Sequence, residues 1–161
     1  MFYEEVFRKL NQKGVRYAVT GGIALVLHGV VRLTADLDLI VELSPENLRR
    51  FLDALQELGF QPRVPVGWEE ILNPEKRQLW IKEKNMVVMS FYHPQNWLYQ
   101  IDFFIQEPIP FEEIEKEIKW IEAKDLKIPV VSKELLKRLK KWAGRPQDLK
   151  DIEALEALYE K

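Results

Sequence analysis

Asp36 and Asp38 stand one residue apart at the head of the apolar run Leu37-Asp38-Leu39-Ile40-Val41, a short step after Gly21-Gly22. In an extended strand alternate side chains share a face, so both carboxylates point the same way. At about 6 Å two bare carboxylates repel by about 3 kcal/mol at an effective dielectric of about 20, so the pair calls for a cation or a nearby base. A third aspartate, Asp102, interrupts the run Trp97 to Ile105. There Tyr99, Ile101, Phe103 and Ile105 form one face, and Leu98, Gln100, Asp102 and Phe104 the other. With no cysteine and only His28 and His93 in the chain, a metal here would be held by oxygen, which points to Mg²⁺ or Mn²⁺. Two aspartates on one strand and a third from a neighbour can hold two such ions, and two ions clamp a triphosphate and lower the pKa of an attacking hydroxyl. Glycines at a strand-to-helix turn let the backbone approach the phosphates.

The elements that must position these residues can be read from periodicity. Phe2, Val6, Phe7 and Leu10 recur at helical spacing and stop at Gly14; Val15 to Thr20 reads as a strand running into the glycine pair. A short helix over Ile23 to His28 and a strand over Asp36 to Val41 follow. Ser44-Pro45 opens a helix whose stripe is Leu48, Phe51, Leu52, Leu55 and Leu58, ended by Gly59. Gln61 to Pro74 reads as loop, and Leu79 to Glu83 with Met86 to Tyr92 as a hairpin around Lys84-Asn85. Past Asp102 come a short helix at Phe111 to Glu117, a β-pair over Trp120 to Val131, and a helix capped by Ser132 with Leu135, Leu136, Leu139 and Trp142 inward, ending at Ala143-Gly144. A last helix runs from Gln147 to Tyr159.

Composition bounds the function. A length of 161 residues with 47% hydrophobic content, eight Phe, five Trp and five Tyr suffices for one real core. A formal net charge of −2 disfavours a nucleic-acid binder that relies on its overall field. The N-terminus lacks a signal pattern and no apolar stretch approaches a bilayer span, so the cytoplasm is the expected location, without a membrane partner.

The string Thr20-Gly21-Gly22-Ile23-Ala24, then His28-Gly29, then Arg32-Leu33-Thr34-Ala35-Asp36-Leu37-Asp38-Leu39-Ile40-Val41 resembles the signature of the nucleotidyltransferase fold shared with DNA polymerase beta. More narrowly it is similar to the small prokaryotic branch of minimal nucleotidyltransferases and AbiEii-type toxin proteins, as is Lys140-Lys141-Trp142-Ala143-Gly144-Arg145-Pro146-Gln147-Asp148-Leu149-Lys150-Asp151-Ile152. The resemblance implies an α/β (α+β) fold: a mixed sheet with packed helices over 1–131 and a C-terminal helical appendix over 132–161 on the same unit. It implies that Asp36, Asp38 and Asp102 hold two Mg²⁺ or Mn²⁺ ions, with Asp102 also the general base. Gly21, Gly22, Arg32 and Thr34 would lie at the phosphates of an NTP such as ATP, and Lys140 and Arg145 would contact phosphate or acceptor. The acceptor would be a protein, a tRNA or a small molecule.

Blander readings compete. Asp36 would then cap a strand end and Asp102 pair with an arginine such as Arg32. Lys133, Lys137, Lys140 and Lys141 would form a solvated helix face rather than an electropositive wall. His28 is expected to pack or cap, and Trp68, Trp80 and Trp97 to anchor core or loops. The rival from another class is a non-catalytic interaction module of the same fold, an antitoxin-like or regulatory protein with a toxin–antitoxin partner.

Overall fold

The computed structural model of the chain describes residues 3–143 and 146–159, with backbone alone at 141–143 and 159. Phe2, Gly144 and Arg145 lie outside the described residues, as do the side chains of Lys141 and Trp142. Helix α1 (Glu4–Gln12) buries Val6, Phe7 and Leu10 on one stripe, and Gly14 at φ +67° turns the chain toward strand β1 (Tyr17–Thr20). Strand β1 enters helix α2 (Gly21–Leu27) directly, so the glycine pair forms the helix's first turn. Strand β2 (Leu37–Val41) returns antiparallel beside β1. Helix α3 (Pro45–Glu57) starts where its cap predicts: Ser44 Oγ accepts from the Asn47 N–H, and Pro45 fills a position that needs no donor.

The middle of the chain departs from the sequence reading. Gln61 to Pro74 is not plain loop but holds a two-residue strand β3 (Gln61–Pro62) and helix α4 (Trp68–Leu72). Leu79 to Glu83 is not a strand; it lies inside helix α5 (Pro74–Lys84). The cause is a cap of the Ser44-Pro45 kind. Asn73 Oδ1 accepts from the N–H groups of Glu75 at 2.9 Å and Lys76 at 3.3 Å, Pro74 takes the first turn, and Asn85 at φ +50° closes the other end. Strand β4 (Val88–His93) therefore pairs across a turn at Pro94-Gln95 with strand β5 (Asn96–Phe104). Helix α6 (Phe111–Lys116), the antiparallel pair β6 (Ile118–Ala123) and β7 (Leu126–Val131), helix α7 (Lys133–Ala143) and helix α8 (Pro146–Tyr159) complete the order. Ser132 Oγ caps α7 by accepting from the Leu135 N–H at 3.0 Å. Of the tryptophans, Trp68 stacks on Phe91 and Trp80 packs on the core, whereas Trp97 is 83% exposed and anchors nothing in the core.

Among the described residues the seven strands form one mixed sheet in the order β3-β4-β5-β2-β1-β7-β6. Strands β2 and β5 are parallel, as are β1 and β7. The register places Thr20 opposite Asp38, Asp38 opposite Asp102, and Asp102 opposite Ser90. Residues directly opposite one another share a face, so these four polar side chains line up across the middle of the sheet. The reverse face carries Val19, Leu37, Leu39, Ile101 and Phe103, all buried, with Phe51 of α3 packed 5.1 Å from Phe103 between ring centroids. Each such side chain contributes about 2 kcal/mol through removal from water, so this face holds the strands that carry the aspartates in place. Leu135 and Leu136 of α7 and Leu155 of α8 join the same core. No helix among the described residues is long and apolar enough to cross a membrane.

Candidate active site

A cavity of about 660 Å³ opens over the polar line of the sheet. Strands β2 and β5 supply Asp38 and Asp102; Asp36 comes from the residue just before β2, which leaves it more exposed than its partner. The β1–α2 junction supplies Thr20, Gly21 and Gly22, the chain leading into β2 supplies Arg32 and Thr34, and α7 supplies Lys140. Every residue that the resemblance assigns to metal, phosphate or acceptor lines this cavity, apart from Arg145, which lies outside the described residues.

The glycines are required by contact. A β-carbon on Gly21, which sits at φ +70°, would run into the Asp38 carboxylate, and one on Gly22 would lie 2.5 Å from Thr34 Oγ1 and 3.3 Å from an Arg32 guanidinium nitrogen. The glycine pair thus lets a carboxylate, a hydroxyl and a guanidinium converge on one stretch of backbone.

The three aspartates are electrostatically unfinished. Burial, then repulsion from Asp102 and Asp36, pushes the Asp38 carboxyl up to about 7, with Lys140 only partly opposing this. Burial and Asp102 raise Asp36 as well, against a smaller pull from Arg63. Asp38 and Asp102 lie within hydrogen-bonding reach of each other, and Asp102 accepts a further bond from the Gln100 amide at 3.1 Å. Among the described residues no three His, Cys, Asp or Glu side chains are drawn together at ligand spacing. The donor set nevertheless suits a hard divalent cation: oxygen-only, triply acidic, crowded by mutual repulsion and facing open volume.

On the other side of the cavity, cations are held by buried acids. Asp151 accepts from Arg32 at 2.8 Å, from Lys140 at 2.8 Å and from the Gln147 amide at 2.8 Å, and Lys140 also contacts Asp148 at 3.4 Å. Lys140 therefore does not belong to the solvated face of α7; it is 7% exposed and turned into the molecule. Arg32 pairs with Asp151 and not with Asp102. Lys137 reaches Glu156 at the surface. His28 caps α2, its Nε2 lying 2.7 Å from the Val131 carbonyl, and burial lowers its pKa despite that contact. It packs, as expected.

Sequence reasoning missed four supporting residues: Asp148, Asp151, Gln100 and Tyr3. The Tyr3 hydroxyl donates to the Ala35 carbonyl, next to Asp36, lies 3.0 Å from the Gln100 carbonyl, and accepts from the Gln100 N–H at 3.1 Å. It sits where a further rung of the β2–β5 ladder would fall, below both strands' aspartates. Burial is the main reason its pKa rises to about 12. No local pattern announces a contact across 97 residues; Asp148 and Asp151, three apart on one helix, carried a faint signal.

No family model matches the chain, and no curated protein sequence matches it. Solved structures do. A candidate nucleotidyltransferase from Thermotoga maritima aligns over 98% of this chain and 90% of its own, with a TM-score of 0.59 and 15% identity. The lincosamide antibiotic adenylyltransferase LnuA, solved with lincomycin bound, aligns over 95% of each chain with a TM-score of 0.60 and 20% identity. An antigenic nucleotidyltransferase-like protein from Paracoccidioides brasiliensis aligns over 95% of this chain and 72% of its own, with a TM-score of 0.55 and 15% identity. The chain has the nucleotidyltransferase fold. The narrower AbiEii-type likeness rests on the sequence string alone.

Proposed function

We propose that this protein is a nucleotidyltransferase that moves a nucleoside monophosphate from an NTP to a hydroxyl acceptor and releases pyrophosphate. The observation that carries the reading is the cavity's charge layout. Asp36, Asp38 and Asp102 repel one another, with Gly21 against Asp38, while Arg32 and Thr34 close on Gly22 and Lys140 lines the same cavity. Asp36, Asp38 and Asp102 would hold the divalent cations, Mg²⁺ or Mn²⁺, which when bound neutralise phosphate charge and acidify the attacking hydroxyl.

The chain's own residues account for the remaining steps. Gly21 and Gly22 admit the phosphates where a side chain would block them, and Arg32 and Lys140 attract the β- and γ-phosphates. Thr34 contributes a hydroxyl donor beside them. Asp102 accepts the acceptor's proton; the acceptor oxygen bonds to the α-phosphorus, the bond from that phosphorus to the bridging oxygen breaks, and pyrophosphate leaves toward Arg32 and Lys140. An adenylyltransferase among the structural neighbours supports ATP as the donor, and a small-molecule acceptor in that neighbour keeps such acceptors beside tRNA and protein.

The test is incubation with each α-labelled NTP and Mg²⁺ or Mn²⁺ in a host lysate. Label should appear on a macromolecule or small molecule with wild-type protein and vanish with Asp38→Asn. Label transfer that persists in Asp38→Asn would refute the assignment.

A further inference from the structure

Beyond the polar line, the cavity ends in apolar residues. Val87, Val88, Phe104 and Pro108 form its far wall, and Val87, Phe104 and Pro108 also line a second cleft of about 340 Å³ with Ile81, Asn85, Met86, Gln106 and Glu107. The cleft is built where three segments meet. Asn85 reverses the chain at the end of α5, the Met86 N–H donates back to the Trp80 carbonyl at 3.2 Å, and the Ile105 N–H donates to the Val87 carbonyl at 3.1 Å. Val87 stays 55% exposed between the two volumes, an apolar surface with no packing role to explain it.

In-line displacement assigns this cleft an occupant. The attacking oxygen and the departing pyrophosphate lie on opposite sides of the α-phosphorus. The strand order β4-β5-β2-β1 places Val88 and Phe104 of the apolar wall on β4 and β5, with Val87 and Pro108 at those strands' ends, the aspartates in the middle, and the glycine pair at the end of β1. If pyrophosphate leaves toward Gly22, Arg32 and Lys140, the acceptor approaches from β4 and β5, past Asp102. The nucleoside hangs from a third, sideways oxygen of the same phosphorus. Glu107 is the only charged group among the described residues that line the cleft, so its chemistry is apolar and acidic. A nucleic acid's phosphates would meet a carboxylate there and no cation.

We propose that the cleft of Ile81, Met86, Val87, Phe104, Pro108 and Glu107 is the acceptor subsite and takes a small alcohol with an apolar body that is neutral or cationic, rather than an RNA end. The inference rests on the nucleotidyltransfer reading for its geometry, but its test does not need turnover. Phenylalaninol and 3-phenyllactate share a phenyl ring and a hydroxyl and differ in charge, which makes them matched probes.

With methyl-¹³C methionine in the full chain, phenylalaninol should shift the Met86 resonance saturably while Met89, buried on the opposite face of the sheet, stays fixed, and 3-phenyllactate should bind at least tenfold more weakly. Glu107→Gln should erase most of that preference, and Val87→Arg, at a half-exposed position that tolerates a longer chain, should abolish the shift. Met86 unmoved by either probe, or moved equally by both, overturns the inference even where Asp38→Asn still abolishes NTP binding. A Met86 shift together with no metal-dependent NTP binding would instead sink the parent reading and with it the acceptor role. Label transfer to an RNA 3′ end that Val87→Arg leaves intact would also overturn it.

Discussion

Two sets of aspartates border one cavity and are treated in opposite ways. Asp151 and Asp148 are almost fully buried, and Asp151 is matched by three donors at 2.8 Å, two of them the cations Arg32 and Lys140. Asp36, Asp38 and Asp102 face one another, and Asp38 is driven up to about 7 because burial and the neighbouring carboxylates outweigh the pull of Lys140. A protein that needed its carboxylates only for stability would build them like Asp151. The unfinished set costs stability, and under the proposed function it is where a ligand's charge would bind.

The contrast breaks most sharply at Asp38. Asp38→Ala should cut nucleotidyl transfer by at least about 10³-fold, roughly 4 kcal/mol of transition-state stabilisation, measured as initial rate with α-labelled ATP. The same substitution should leave the fold intact.

Next in size is Asp151→Ala, which strands Arg32 without its carboxylate and weakens the hold on Lys140. Loss of one partner from a buried ion network costs about 4 kcal/mol, or about 12 °C in a chain of this size, read as the thermal midpoint. Equal losses from Asp38→Asn and Asp151→Asn would erase the distinction between the two sets.

The carboxylates also give a pH signature with a definite sign. Asp38 binds its proton more tightly folded than unfolded, since its folded pKa of about 7 lies above the ordinary 3.8. Its stabilising contribution to the metal-free protein is therefore complete below about pH 4 and is lost as pH rises through about 7. Metal-free protein in chelator should melt lower at pH 8 than at pH 5 by more than Asp38→Asn does, and Asp38→Asn should stabilise the chain at pH 8 by about 1 kcal/mol, or about 3 °C. Mn²⁺ should raise the midpoint more at pH 8 than at pH 5.

The smallest expected effect is at Tyr3. Tyr3→Phe removes the hydroxyl that joins Ala35 to Gln100 and should cost about 1–2 kcal/mol in stability. Because that hydroxyl spaces the backbone beneath Asp36 and Asp102, the variant should also need several-fold more Mg²⁺ for half-maximal activity. A change in stability with an unmoved Mg²⁺ requirement would make Tyr3 only a structural bridge.

What the sequence discloses follows the range of the interactions involved. The capped helix at Ser44-Pro45, the glycine pair and the three aspartates are local patterns on regular elements, and the structure gathers them at one cavity. Asn73-Pro74 carried the same cap signal as Ser44-Pro45, yet Leu79 to Glu83 reads as a strand because α5 buries only Arg77 and shows no apolar stripe. By periodicity alone Lys140 reads as surface, because its position opposite the leucines says nothing of a second helix folding over it; only the family resemblance drew it toward the site. Asp151 and Tyr3 act on partners 119 and 97 residues away, and nothing in a single sequence announces such a match.

The central claim is that the three mutually repelling carboxylates await divalent cations together with an NTP. Calorimetric titration of the full chain with ATP, in Mg²⁺ or Mn²⁺ and in chelator, tests it most directly. Wild-type protein should bind ATP in the presence of either metal and at least tenfold more weakly in chelator, and Asp38→Asn should lose the metal's contribution. Wild-type protein that binds no NTP with either metal, or that binds equally well without one, would contradict the account.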